Sequence, residues 1–425
     1  MILLVGLAFL LLALLGAPLF TVIGGAALFA FWWIGIDTAA VIIELYRMAS
    51  APTLLAIPLF TFAGYLLAES GTPTRLVNLA RACFGWMPGG LAVVALVACA
   101  GFTAFTGASG VTIIALGGLL YPILIRENYP ERFSLGLVTT GGSLGVLFAP
   151  SLPLILYGLV ARTSIDKLFI AGLLPGILLV VMLSAYSMHI GYRASVVRVP
   201  FRWEALGRAA REAAFEIPLP FVILGGIYGG FFTVTEAAAI TAFYVLVVEV
   251  FLYRDLSLRV DVPRVMRESM ILVGGILVIL GTALGFTNFL IDQEIPMVLF
   301  DLMRTFLTSK LAFLIALNIF LLIVGCLMDI FSAIVVVVPL ITPIAMEFGV
   351  DPVHLGIIFL TNLEIGYTTP PVGINLFIAS FRFSKPVVRL YLAALPFLWI
   401  RLVALFIITY IPDLTLFLGR VMGRP

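Results

Sequence analysis

The sequence predicts an all-α integral membrane protein of ten to twelve membrane segments, arranged as two inverted repeats that each hold a re-entrant helical hairpin and a broken helix. Three observations carry this: the composition, the continuity of the apolar runs, and a pattern of interruptions that occurs twice. Hydrophobic residues make up 63% of the chain and charged residues 11%, about half the charge of a soluble domain. Apolar stretches of about 20 residues, the length that crosses the hydrocarbon, recur along it. They run as continuous Leu, Ile, Val, Ala and Gly rather than as the alternating strands of a barrel, so helices must satisfy the backbone.

The interruptions repeat at fixed spacing. In the first half Gly107, Ala108, Ser109 and Gly110 break an apolar run and precede a Pro-broken segment, Phe148 to Pro153. In the second half Asp329 to Ala333 breaks a run and is followed by Thr368, Thr369, Pro370, Pro371, Val372 and Gly373. Ser109 to Pro150 and Asp329 to Pro370 each span 41 positions, which sets the two breaks 220 apart, while Gly64 to Gly107 and Gly285 to Met328 each span 43. Broken apolar segments in corresponding halves point to the midplane site of a secondary transporter.

Taken in order, residues 1–85 read as first-repeat scaffold helices with an interfacial arm. Met1 to Phe20 has no Lys or Arg ahead of its apolar run, which continues to Trp33 past Gly16 and Pro18, so it reads as retained helix rather than cleaved signal. Trp32, Trp33 and the amphipathic stretch Ile36 to Met48 suit an anchor at the interface. Residues 86–165 form the first transport part, with a hairpin over roughly Leu91 to Ile125 and then a broken helix. Residues 166–310 supply connecting and second-repeat scaffold helices, including two spans within Phe215 to Tyr253 joined near Phe232 to Glu236. Residues 311–382 form the second transport part, its hairpin over roughly Leu311 to Phe348, and 383–425 a C-terminal helix and tail.

Charge placement orients these parts. Dense basic groups lie at Arg193, Arg198, Arg202, Arg208 and Arg211 and at Arg254, Arg259, Arg264 and Arg267, which the positive-inside rule places in the cytoplasm. Counting spans outward puts Arg75, Arg81, Arg126, Arg132, Arg382, Lys385 and Arg389 on the same side. The first hairpin then enters from the cytoplasm and the second from outside. A net charge of +2 gives no electrostatic case for nucleic acid.

Several chemistries are poorly supplied. Cys83, Cys99 and Cys326 stand singly in apolar surroundings and read as small buried hydrophobes. His189 and His354 are the only histidines, so a zinc site or a Ser-His pair is poorly supplied, and none of Lys167, Lys310 and Lys385 follows a glycine, so a phosphate-binding Gly-Lys-Ser/Thr loop is absent.

What the breaks can do follows from their backbone. A helix interrupted in hydrocarbon exposes carbonyls on one side and N–H groups on the other, each costing several kcal/mol if unsatisfied. Carbonyls and hydroxyls suit sodium, and half-helix N-termini suit a carboxylate. The first sodium site is therefore assigned to Thr106, Gly107 and Ser109 facing Gly145, Pro150 and Ser151, and the second to Gly325, Asp329 and Ser332 facing Gly366, Thr368, Thr369 and Gly373. Ser109, Ser151, Thr369 and Asn375 are the substrate-binding candidates. Asp329 is either a cation ligand or a cap for the returning helix, and Glu364 is the other acidic residue near the breaks. Glu236, three residues after Thr233, reads as a capping acid, and Asn288, Asn318 and Asn362 as interhelical hydrogen-bonding groups.

Gly229 to Ala239, with its Thr235-Glu236-Ala237-Ala238-Ala239 element, Thr369 to Phe377 and Pro150 to Gly158 together resemble the large membrane subunit, DctM type, of tripartite ATP-independent periplasmic (TRAP) transporters. The resemblance spans essentially the whole chain. It implies a sodium-driven, elevator-type importer of a small organic acid in the bacterial inner membrane. Its implied partners are a small four-helix membrane subunit (DctQ type), docking along the N-terminal helices, and a periplasmic substrate-binding protein (DctP type). Departures from the family pattern fall at Val234 and Ala149, where Pro is usual, and at Ser109 to Thr112, where a Ser-rich tip followed by Ala-Asp is usual. The alternative is a stand-alone symporter of the divalent-anion type, whose hairpin tips carry a Ser-Asn-Thr that both tips here lack.

Overall fold

The computed structural model describes residues 2–15, 17–194, 200–307 and 309–422; Met1, Gly16 and Arg198 lie outside the described residues. Helices make up the whole architecture, with no strand among the described residues. Eight of these helices are long and apolar enough to cross a membrane, or nine if the bent pair Glu131–Leu147 and Leu152–Val160 counts as one span. Five shorter apolar helices, among them Gly90–Thr106, Pro352–Gly366 and Ile374–Phe383, supply the half-length pieces that the interruptions in the sequence require.

Both hairpins form. The first runs up Gly90–Thr106, turns at Gly107 and Ala108, and returns through Ser109–Thr112, a π-helical turn at Ile113–Gly117 and Gly118–Arg126. The second runs up Lys310–Leu327, turns at Met328 and Asp329, and returns along Ile330–Glu347. Each tip is therefore two residues long, and Ser109, Gly110 and Ile330 to Ala333 already belong to the returning arms. The first broken span is Glu131–Leu147 followed, after Phe148 to Ser151, by Leu152–Val160, bent by 46°. The second is Pro352–Gly366 followed, after Tyr367 to Gly373, by Ile374–Phe383. Cis peptide bonds join Ala149 to Pro150 and Pro370 to Pro371.

The caps correct the repeat register. The residue before each returning arm, Ala108 in one half and Asp329 in the other, stands in extended backbone, and these are 221 apart. The glycines at which each broken span meets the rising arm of its hairpin, Gly145 and Gly366, are also 221 apart. The offset of 220 taken from the prolines is thus one residue short, because the tips align at Ala108 and not at Ser109.

Ion pairs gather the ends of many helices at one rim. Arg81 pairs with Glu127 at 3.3 Å, Lys385 with Glu131 at 2.5 Å, Arg264 with Glu69 at 2.8 Å, and Arg75 with Asp255 at 2.6 Å. The outer ends of the first hairpin lie at this rim. Ile165–Arg193 crosses the protein toward it, its Ser187 to Gly191 turns lying against Gly89 at the start of the first hairpin. At the opposite end Lys310 Nζ donates to the Gly349 carbonyl at 2.5 Å, and Tyr157 donates to the Pro352 carbonyl at 2.8 Å, so the second hairpin opens the other way. This is the opposed orientation that the arginine distribution predicts.

Local signals behave as their chemistry demands. Thr233 and Glu236 form a reciprocal capping box, Thr233 N–H donating to the carboxylate at 2.8 Å and Glu236 N–H to the hydroxyl at 3.2 Å, and start Val234–Val247. The amphipathic stretch after Trp33 forms Ala39–Ala49, whose Val41 and Leu45 lie against Gly285 and Gly281 of Asp261–Asp292. The three cysteines are free, and Cys99 packs against Gly141 as a small apolar residue. Asn362 donates to Asn318 at 2.7 Å and Asn318 to Thr409 at 3.2 Å, tying the second hairpin, the second broken span and Val387–Tyr410 together.

Candidate functional site

The site is built where hairpin tips meet broken spans, and glycine permits the approach. In the second half a Cβ on Gly366 would stand 2.3 Å from the Gly325 carbonyl carbon, and Gly373 N–H donates to the Cys326 carbonyl at 3.2 Å. Hairpin and break therefore touch backbone to backbone. In the first half a Cβ on Gly145 would meet the Ala100 carbonyl at 2.3 Å and the Ala104 nitrogen at 2.5 Å, so Gly145 packs on the rising arm and not on the tip. The tip itself rests on the far side of the break: Gly107, at φ +65, lies against Leu152.

The predicted site residues separate into three groups. Thr106 and Ser151 are buried, and neither hydroxyl has a hydrogen-bond partner among the described residues. The Ser109 hydroxyl donates at 2.7 Å to the amide oxygen of Asn375, on the second broken span. The returning arm points it across to the other repeat. Ser109 and Asn375, both substrate candidates, are thereby brought into contact, and the Asn375 amide nitrogen is left buried and unpartnered.

In the second half Asp329 acts as a cap. Its carboxylate accepts from Phe331 and Ser332 N–H, both at 3.0 Å, and from the Ser332 hydroxyl. Of the two roles open from the sequence, the capping role is the one the geometry forms. Thr368 and Thr369 both turn back to the Ile365 carbonyl, at 3.1 and 2.9 Å, and Thr368 also accepts from Arg401 at 3.1 Å. Thr369 is thus not beside Asn375 through any hydrogen bond.

Some backbone groups freed by the breaks are satisfied within the protein. Thr103 donates to the Gly142 carbonyl at 2.9 Å, Asn375 N–H to the Tyr367 carbonyl at 3.1 Å, and Ile330 N–H to the Tyr367 hydroxyl at 2.5 Å. What remains is concentrated at helix starts. Of the four helices that begin at the breaks and tips, only Ile330–Glu347 has a side-chain cap; those beginning at Ser109, Leu152 and Ile374 have none. Uncapped N–H groups carry partial positive charge, the environment an anionic group seeks.

Two residues important to this region were not singled out from the sequence. Tyr367 bridges the second tip, and Arg401 is wholly buried with its guanidinium 3.9 Å from the Glu364 carboxylate. The signal for Arg401 was present, since it is the one charged residue in the apolar run from Leu390 to Tyr410, where a charge is costly unless it has buried work to do.

Comparison with known proteins agrees with this architecture. Residues 5–414 match the family described as tripartite ATP-independent periplasmic transporter, DctM component. The C4-dicarboxylate TRAP transporter large permease protein DctM of Pseudomonas aeruginosa is 40% identical over 90% of this chain and 89% of its own. Its namesake from Rhodobacter capsulatus is 35% identical over 93% of each chain. The isethionate TRAP transporter permease protein DctMQ of Oleidesulfovibrio alaskensis is 37% identical over 86% of this chain and 58% of its own. Among solved structures the Alcanivorax borkumensis YdaH transporter shares the fold, with a TM-score of 0.57 at 13% identity over 90% of this chain and 87% of that one. The chain is a multi-pass membrane protein that belongs to the DctM family, the large permease component of tripartite ATP-independent periplasmic transporters.

Proposed function

We propose that this protein imports a small organic acid across the bacterial inner membrane, driven by sodium, and that its two hairpins and two broken spans move as one body against the remaining helices. The carrying observation is the set of uncapped helix starts at Ser109, Leu152 and Ile374 beside the unpartnered Thr106, Ser151 and Asn375 groups. N–H dipoles and an amide donor suit a carboxylate, whereas hydroxyl and carbonyl oxygens suit sodium. The names of relatives support the solute class: C4-dicarboxylates for three of them and 2,3-diketo-L-gulonate for the Escherichia coli YiaN protein.

In this reading sodium is cargo held between tip and break. In the first half Thr106, Gly107, Ser151 and the backbone near Gly145 and Pro150 surround it. In the second, Gly325, Asp329, Ser332, Gly366, Thr368, Thr369 and Gly373 do so, with Asp329 fixing the tip as a cap and supplying charge. Ser109, Ser151, Thr369 and Asn375 orient the solute. A half-filled site leaves dipoles facing hydrocarbon, which disfavours movement and couples ion to solute. A periplasmic binding protein of DctP type delivers the acid, and a small DctQ-type membrane subunit of four helices extends the scaffold along Leu19–Trp33 and Ala39–Ala49, where Trp32, Trp33, Ile42 and Ile43 are exposed.

Two measurements bear on this. Proteoliposome uptake titrated with sodium is expected to show a higher half-saturating sodium concentration in Ser332→Ala and in Thr369→Ala; unchanged sodium dependence in both removes the second ion site. Asn375→Leu is expected to weaken solute uptake at least tenfold, because it removes the amide that Ser109 orients; uptake within twofold of the unaltered protein would take Asn375 out of the solute site.

A further inference from the structure

We propose that Tyr367 is a positioning residue of the second ion site: its hydroxyl latches the tip of the second hairpin onto the second break, a fastening that the first tip lacks. The need for it follows from the cap. Asp329 accepts through its side chain from Phe331 and Ser332 N–H and through its carbonyl from Ala333 N–H at 2.9 Å, the second to fourth residues of Ile330–Glu347. A capping residue does not reach the N–H of the first, Ile330. Ile330 is buried, and an unpaired N–H in hydrocarbon is costly. The Tyr367 hydroxyl oxygen accepts it at 2.5 Å. All four N–H groups that open the returning arm are thus satisfied, three from the tip itself and one from the facing break.

The phenol is itself held from both sides. Gly366, before it, packs on Gly325 backbone to backbone, and Thr368, after it, accepts from Arg401 at 3.1 Å. The Tyr367 carbonyl accepts from Asn375 N–H at 3.1 Å. One buried residue therefore touches the tip through its side chain and the start of Ile374–Phe383, where the solute candidate Asn375 stands, through its backbone.

The first half has no counterpart. In the register that pairs Ala108 with Asp329, Tyr367 matches Val146, again 221 positions earlier. Cap and phenol are thus both replaced by apolar residues in the first half, and the helix that begins at Ser109 has no side-chain cap. Their joint presence in one half marks a device of the second tip and not a packing residue that each repeat needs. Without the hydroxyl the tip shifts toward an open form, and apparent affinity for whatever the closed tip holds falls by the fraction that remains closed. Sodium must then do the closing, a consequence that rests on the second ion site of the proposed function.

Tyr367→Phe keeps the ring and the carbonyl and removes only the hydroxyl, and solute uptake by the full complex in proteoliposomes is the test. At saturating solute the half-saturating sodium concentration is expected to rise by at least about fivefold, the scale set by one buried N–H left without its acceptor. At saturating sodium the half-saturating solute concentration is expected to stay within about twofold, with the unfolding midpoint moved by no more than a few degrees. Tyr391→Phe is the control, since Tyr391 donates to the Pro371 carbonyl of the same break at 2.6 Å and makes no hydrogen bond to the tip. Four results would overturn the latch: sodium dependence unchanged in Tyr367→Phe, an equal rise in half-saturating solute at saturating sodium, an equal sodium shift in Tyr391→Phe, or a lowered midpoint with both constants altered. Ser332→Ala keeps the two questions apart. A sodium shift there without one in Tyr367→Phe removes the latch alone, whereas no shift in either removes the ion site with it.

Discussion

Arg401→Leu is expected to destabilise the protein by about 3–5 kcal/mol, the usual cost of leaving one member of a buried ion pair without its partner. Arg401 and Glu364 are both fully buried, 3.9 Å apart. At that separation the attraction is about 4 kcal/mol for an effective dielectric of about 20, so the pair outweighs any single neutral hydrogen bond nearby. Arg401 also donates to the Glu364 carbonyl, in the last turn before the second break, and to the Thr368 hydroxyl within the break, so its loss frees a backbone carbonyl and a hydroxyl as well as a charge. The double variant Arg401→Leu with Glu364→Leu is expected to recover most of the stability, since two apolar side chains replace two charges. Thermal unfolding midpoints of both single variants and the double, in one detergent, decide it: a double variant no more stable than Arg401→Leu would show that the ion pair is not the source. Uptake is expected to remain low even in the stable double, because Thr368 has lost its donor.

Gly366→Ala should be nearly as damaging for a different reason. The added methyl would sit 2.3 Å from the Gly325 carbonyl carbon and 2.6 Å from its Cα, and neither neighbour is a side chain that can rotate away. Hairpin and broken span must separate, at a cost of about 1–3 kcal/mol or more, typical of overpacking. Gly145→Ala meets the Ala100 carbonyl and the Ala104 nitrogen and should behave alike. Gly101→Ala, which meets nothing, is the control. Parallel measurement of unfolding midpoint and uptake for these three variants tests the packing. Gly366→Ala with the stability of Gly101→Ala would mean that the close approach is not maintained in the membrane.

The architecture was legible because it is written in composition and spacing. Continuous apolar runs leave helices as the only backbone solution, and the interruptions at Gly107 and Asp329 mark both tips within a residue of where they fall. Arginine placement gave the opposed hairpins, since charge asymmetry is a property of loops and does not depend on packing. The site was read less completely. That Ser109 would reach Asn375 rather than its own repeat depends on how the two halves dock, and nothing local in the sequence encodes that docking. Asp329 could be named but its role could not, because a carboxylate that binds a cation and one that caps a helix are the same residue until the backbone is placed. Proline spacing also misjudged the register by one, because two consecutive prolines at 370 and 371 leave open which of them matches Pro150, whereas close-approach glycines admit no such choice.

The pairing of Ala108 with Asp329 has a consequence for how the duplicated chain can change. Both positions share the extended conformation of a residue preceding a helix, but one carries an acceptor and the other a methyl group. The skeleton of each half is therefore held by glycine contacts that tolerate no drift, while the chemistry at its apex is free to differ. A doubled frame of this kind lets the residue at either apex change without rebuilding the other half.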